Sequence, residues 1–276
     1  MNSIWAIEIE LKPAGPLTFR QMPSGLLHIM SYPFMPPTTM SGFLCRLLEI
    51  AEGREWPGYG DDWFGKGPGK GFTLTLDPEC RALGAFPPNQ KWSIHKTRRH
   101  GPKNFKHMEF SQLLRTEHKE NYQLHHWDYL FCESLTGWVA AGERESLETF
   151  KKLLNFGGKS GKEGYLVVSR VGSPRKMPLM EGQFKPLGLV TAPTRPASGL
   201  YFNLYGHWWD KGYEWTNGQK GGVSGFTQLG AFWDADVAAG PYWAWEEEKG
   251  FAAQMPDDFL AGEREALFDP LKEVRP

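Results

Sequence analysis

A chain of 276 residues with 40% hydrophobic side chains is long enough to bury a proper core, as one large domain or two small ones. A net charge of −1 argues against indiscriminate binding to polyanions but leaves room for a divided surface, and no apolar stretch approaches the roughly 20 residues that a membrane-spanning helix needs. Three scattered cysteines (Cys45, Cys80, Cys132) form no CxxC pair and read as reduced thiols, and MNSIWAIEIELK has acids where a signal peptide needs a basic region, so a cytoplasmic protein is expected.

Along the chain, Ile7, Ile9 and Leu11 alternate with Glu8 and Glu10, the period of a half-buried strand over Ile4–Leu11. A polar stretch with Arg20, Gln21 and Ser24 precedes YPFMPPTTMSGFLCRLLEI, in which Met40, Phe43, Leu44, Leu47 and Leu48 form one helical stripe. Thr38 or Thr39 is expected to cap that helix. Gly53–Gly71 reads as loop, with strands over Phe72–Leu76 and Arg81–Phe86. From Lys91 to Lys106 there are six Lys or Arg residues and no acid, with Trp92 and Phe105 interleaved. Gln123–Leu135 returns to strand character and ends before Gly137. A second helix is expected over Glu143–Asn155, with Leu147, Phe150, Leu153 and Leu154 on one face.

That helix runs into the glycine-rich FGGKSGKEG (Phe156–Gly164), followed by the β-branched strand Tyr165–Val171. The series β-α-β-β-α-β predicts an α+β, ferredoxin-like domain of the RNA-recognition type over residues 1–175, with a basic insertion at about 88–122 between its second and third strands. Residues 176–276 form a β-rich carboxyl-terminal region. There Gly199–Trp209 supplies strands, Gly221–Trp233 reads as a mobile loop leading into another, and the last stretch is acidic.

FGGKSGK is not a nucleotide phosphate loop. Leu153 stands where the first glycine is required, and the order of strand and helix is reversed. Its backbone amides, with Lys159 and Lys162, could still approach a phosphate, or the segment could be a plain connector. Adjacent residues of a strand face opposite sides, so His125 and His126 do not converge on a metal with Asp128. His95, His100 and His107 beside Lys96 and Lys103 are of the types that cleave RNA without metal, against the plainer reading of a solvated basic loop. The cations with interleaved aromatics favour RNA or single-stranded DNA, because cations neutralise phosphate and aromatic faces stack on unpaired bases.

Together, the amino-terminal strand, GPLTFRQMPSG and the aromatic-Pro-Pro-Thr-Thr corner with Gly42 early in its helix resemble the CRISPR-associated RAMP proteins of Cas family five. The resemblance covers residues 1–175 and implies a non-catalytic subunit that caps the 5′ handle of the guide RNA in a type I Cascade complex. Its implied partners are that RNA, a backbone subunit of Cas family seven, a large subunit of Cas family eight or equivalent, and target DNA indirectly. No cofactor, metal or membrane is implied. Carried over residue by residue, Arg20 meets the RNA backbone, and Thr38, Thr39 and Ser41 donate to phosphate. Lys96, Arg98, Arg99 and Lys103 lie on a basic thumb, and Gly157, Gly158, Lys159, Ser160 and Lys162 on the loop. One branch of the family is a metal-independent endoribonuclease using Tyr, Lys and His, for which Tyr32, Lys96 and His95 or His100 are of the right types. The equivalent capping subunit of a type III or type IV complex is the remaining alternative.

Overall fold

The computed structural model describes residues 3–21, 28–53, 80–102, 122–191, 196, 198–209, 223–246 and 249–252. The expected strand at Phe72–Leu76, the Lys103 contact, Phe105, His107 and most of the acidic carboxyl-terminal stretch lie outside these residues.

The chain opens with β1 (Ser3–Pro13), followed by the two-residue strands β2 (Phe19–Arg20), β3 (His28–Ile29) and β4 (Ser31–Tyr32). Helix α1 (Pro37–Ala51) leads to β5 (Cys80–Phe86), the hairpin arms β6 (Trp92–Pro102) and β7 (Tyr122–Cys132), and β8 (Leu135–Ala141). A short helix α2 (Glu145–Glu148) tightens into a 3-10 segment (Thr149–Leu153), and β9 (Gly157–Lys159) turns back into β10 (Tyr165–Val171). The remainder is all strand: β11 (Arg175–Pro186), β12 (Val190–Thr191), β13 (Leu200–Trp209), β14 (Val223–Trp233), β15 (Ala238–Glu246) and β16 (Lys249–Ala252). The architecture is α+β and mostly sheet.

β1 is the spine. It pairs antiparallel with β8 along one edge, while β10 and β11 follow one another along the other, β10 beside Ile9–Pro13 and β11 beside Ser3–Ala6. β8 in turn pairs with β5, so four of these strands lie in the spatial order β5-β8-β1-β10, each antiparallel to its neighbours. β15 and β16 extend the sheet past β11, which carries it across residue 175.

The alternation in β1 does what its sequence demands. Ile7, Ile9 and Leu11 are fully buried beneath the helices, in one cluster with Met40, Phe43, Leu44 and Leu47 of α1 and with Leu147, Phe150 and Leu153. Burying each large side chain contributes about 1.5–3 kcal/mol, which outweighs the poor capping of α1. Its N-cap is Pro36, no side chain caps it, and Pro37 occupies the first turn, where a missing N–H costs nothing. Thr38 and Thr39 therefore are not caps, contrary to expectation.

On the opposite face of the sheet, Glu8 and Glu10 pair with Arg170 at 2.5 and 3.3 Å. A hydrogen bond from Ser169 holds the Glu10 carboxyl below the ordinary carboxylate range against the opposing effect of burial, and the Arg170 guanidinium adds to the lowering.

Four sequence expectations change. The central sheet strand after the basic insertion is Leu135–Ala141, whereas Tyr122–Cys132 is the return arm of the hairpin. Gly137 ends nothing: it lies within β8, where a Cβ would come within 2.7 Å of Met40 Cε and 2.8 Å of Ala85 Cβ, so its role is to let α1 approach. The second helix is one turn of α-helix continued as 3-10, and Leu154 falls outside its buried stripe at 48% exposure. In the carboxyl-terminal region Val223–Trp233 is a strand paired with β13, not a loop; the Tyr201 ring lies over Gly230, where a Cβ would meet its hydroxyl at 2.6 Å.

The two halves share one core. Phe34, buried just after the Tyr32-Pro33 corner, lies 5.2–5.4 Å from the rings of Tyr32, Phe86, Phe202 and Trp233, and the Tyr32 hydroxyl donates to the Asn203 carbonyl at 2.5 Å. Trp138 meets Phe251 at 5.1 Å on the far side of β8. The aromatic-rich corner is thus a clamp between the first helix and the carboxyl-terminal strands.

Candidate nucleic-acid interface

The segment Leu17–Arg20 organises the surface on which most of the expected contacts lie. Leu17 exchanges backbone hydrogen bonds with Leu130 of β7 at 2.8 and 3.0 Å, and on its other side Thr18 bridges Glu163. The buried Thr18 hydroxyl donates to the Asp128 carbonyl at 2.9 Å and accepts from the Trp127 indole at 3.1 Å. Tyr129 donates to the Glu163 carboxylate at 2.7 Å. One short strand therefore fixes the hairpin to the glycine-rich turn, and Arg20, two residues on, is exposed.

The hairpin is the basic insertion, and it is ordered into strands from Trp92. Register pairs Lys96 with Asp128 and Arg98 with His126, and side chains directly opposite in an antiparallel pair share a face. Trp92, Ile94 and Leu130 anchor the root of that face to the core, and Lys96 and Arg98 stand exposed beyond them. β3 adds a third member to this face: His28 Nε2 lies 2.9 Å from Asp128 Oδ1, and its ring meets that of His126 edge-on at 5.9 Å. The Arg99 side chain lies outside the described residues. The resulting surface carries two exposed cations and two imidazoles around a carboxylate that already has a partner. Its chemistry suits phosphate neutralisation, with flat rings available for stacking.

The glycine-rich segment is tighter than a loop. Gly157–Lys159 is an edge strand paired with β10, and a Cβ on Gly157 would approach the Leu166 carbonyl to 2.9 Å. Gly161 has φ +66, and a Cβ there would lie 2.6 Å from the Thr18 carbonyl, which itself accepts from the Lys162 amide at 2.8 Å. These glycines serve close backbone approach. Ser160 is buried, with its amide on the Gly164 carbonyl, whereas Lys159 and Lys162 are exposed.

Gly158 packs against Phe43 and Leu47, the middle of α1, so the glycine-rich strand does not meet the helix start. At 1.5 Å per residue, Thr38 is about 8–14 Å away along the axis from those two positions. Thr38 is exposed, Thr39 and Ser41 are half-buried, and the first-turn amides of Thr38 and Thr39 have no acceptor within the helix. Backbone bonds thus join the segment ending in Arg20 to the turn carrying Lys162 and to the hairpin carrying Lys96 and Arg98, while the glycine-rich strand packs away from the α1 start.

Of the Tyr, Lys and His set for RNA cleavage, Tyr32 and His95 are not brought to Lys96, and the His100 side chain lies outside the described residues. Tyr32 is buried in the aromatic core, and His95 lies on the opposite face of β6 from Lys96, against Phe131 at 4.8 Å. Among the described residues no group of three or more His, Cys, Asp or Glu side chains could hold a metal ion, and no helix is long and apolar enough to cross a membrane. His28 and Thr18 were missed by sequence reading, because each meets its hairpin partner across 100 or more residues.

No family model matches the chain, and no curated protein sequence matches it. Solved structures do. A chain of the type III-B Cmr-β complex bound to cognate target RNA and AMPPnP has 16% identity and a TM-score of 0.44, over 84% of this chain and 86% of that one. The same complex bound to cognate target RNA gives 16% identity and a TM-score of 0.42 over the same shares. A CRISPR protein from Archaeoglobus fulgidus gives 12% identity and a TM-score of 0.34, over 88% of this chain and 97% of that one.

Proposed function

We propose that this chain is a non-catalytic guide-RNA-binding subunit of a CRISPR effector complex, capping the 5′ handle of the RNA. The observation that carries the reading is that the segment ending in Arg20 bonds on one side to the hairpin that carries Lys96 and Arg98 and on the other to the turn that carries Lys162. Arg20, Lys96, Arg98, Lys159 and Lys162 are all exposed. Phosphates of a single strand would be neutralised there, and the hairpin rings offer faces for unpaired bases. The spatial order β5-β8-β1-β10, with α1 and α2 packed in one layer, supports the ferredoxin-like reading of the amino-terminal domain, and the β6–β7 hairpin that leaves it after β5 supports the thumb. Backbone and large-subunit partners follow from the resemblance to Cas family five, which favours a type I complex.

Purification of the tagged chain from its native cells, with sequencing of bound RNA and identification of bound proteins, tests this. Guide RNA sharing a constant 5′ segment is the expected cargo, with partners of Cas families seven and eight. Type III partners with the same RNA would move the subunit to that class of complex. Recovery without RNA would overturn the reading. Cleavage of a repeat hairpin in the presence of chelator, lost in Lys96→Ala with RNA binding retained, would replace it with the endoribonuclease alternative.

A further inference from the structure

The cationic face of the hairpin has a carboxylate in it. Asp128 lies directly across from Lys96 in the β6–β7 register, and the next pair on the same face is Arg98 with His126. Among the described residues its one ion-pair partner is nevertheless His28, whose Nε2 is 2.9 Å from Oδ1, and neither Lys96 nor Arg98 pairs with it. The Asp128 backbone is fixed as well, because its carbonyl accepts from the buried Thr18 hydroxyl at 2.9 Å. The side chain keeps 11% of its surface in solvent, while Lys96 and Arg98 are exposed. Oδ1 is thus committed to His28, and among the described residues nothing donates to Oδ2.

We propose that Asp128 makes the hairpin selective for RNA over DNA, its Oδ2 accepting from the ribose 2′-hydroxyl beside a phosphate neutralised by Lys96. A carboxylate next to a phosphate site repels the phosphate unless it meets a donor, since an ionised carboxylate accepts hydrogen bonds and cannot give them. Along its sugar–phosphate backbone RNA carries one such donor per nucleotide, the 2′-hydroxyl, and DNA has none. Directly opposed residues of an antiparallel pair have Cβ atoms about 4.5–5.5 Å apart, so a phosphate on Lys96 and a hydroxyl on Asp128 fall within one nucleotide. Selection then works in both directions: RNA gains a charge-assisted hydrogen bond, and DNA is left facing an uncompensated negative charge. His28 holds the carboxylate through Oδ1 and leaves Oδ2 as the acceptor. The inference rests on the RNA-binding reading of the hairpin and adds to it a residue that tells the two nucleic acids apart.

The test titrates the full chain with a handle-containing single-stranded RNA, with DNA of the same sequence, and with RNAs carrying one 2′-deoxy or 2′-O-methyl nucleotide at successive positions. Wild type is expected to bind the RNA about tenfold tighter than the DNA, with one position at which either single change loses most of that factor. Asp128→Ala is expected to weaken RNA binding and strengthen DNA binding, bringing the ratio close to one, whereas a merely structural role would weaken both alike. The single-nucleotide changes read the same contact on the wild-type chain, whatever the substitution does to folding. Equal affinity of wild type for RNA and DNA, no sensitive position, or a ratio unchanged in Asp128→Ala overturns the selectivity and leaves strand binding at the hairpin standing. Wild-type protein that binds neither strand overturns both.

Discussion

Strands β8 and β6 flank β7 in sequence and are opposites in environment. In β8 every residue except Thr136 is buried, under α1 on one face and the carboxyl-terminal aromatics on the other. In β6, Ser93, His95, Lys96 and Arg98 are exposed, and among its described side chains only the root residues Trp92 and Ile94 pack against the core. The same extended backbone is thus used once to hold the molecule together and once to present charge. Substitutions in the two places should separate cleanly into losses of stability and losses of nucleic-acid affinity.

Phe34→Ala breaks the comparison on the structural side. It removes a ring that four others surround and should cost about 3–5 kcal/mol in a urea melt, with the folded fraction still competent for RNA. A cost under about 1 kcal/mol would mean that the amino-terminal corner and the carboxyl-terminal strands do not share a core.

Thr18→Val sits on the seam between the two environments. It deletes a hydroxyl that serves both the Trp127 indole and the Asp128 carbonyl and should cost about 1–3 kcal/mol. Because Thr18 fixes the hairpin root, RNA affinity should fall with it. A stability loss with full affinity at a temperature where the variant is folded would show that the hairpin is held elsewhere.

Ser169→Ala gives the smallest effect. The Glu10 carboxyl titrates below its ordinary value of 4.5 when folded, chiefly through Ser169 and then Arg170. It therefore contributes stability that is complete above that ordinary value and is lost as pH falls through the lower folded one. The variant should narrow the difference in melting temperature between neutral pH and pH below 4.5, by a modest amount because the pair is solvent-screened. RNA binding should be untouched, since Glu10 lies on the sheet face away from the helices and no expected contact involves it.

Legibility in the sequence follows the same division. β1, α1 and β10 were readable because each buries one periodic stripe, and the cations of β6 were readable as a run without acids. Glycine misled twice: at Gly137 and in Val223–Trp233 it marks close packing inside strands, and a terminator looks the same in one dimension. The 3-10 turn that ejects Leu154 reflects the short span between β8 and β9, which no local propensity encodes. The exposed cations were visible in the sequence. Their support was not, because the His28–Asp128 pair and the Thr18 bridges join residues about a hundred positions apart.

RNA binding through the hairpin is tested most directly by measuring the affinity of the full chain for a handle-containing single-stranded RNA as a function of salt, for wild type and Lys96→Ala/Arg98→Ala. Each phosphate contact contributes about −0.7 to the slope of log affinity against log salt, so the double variant should bind more weakly with a slope shallower by about 1.4, at unchanged thermal stability. Equal affinity and equal slope in the two proteins would contradict the assignment of the hairpin as the RNA-binding surface.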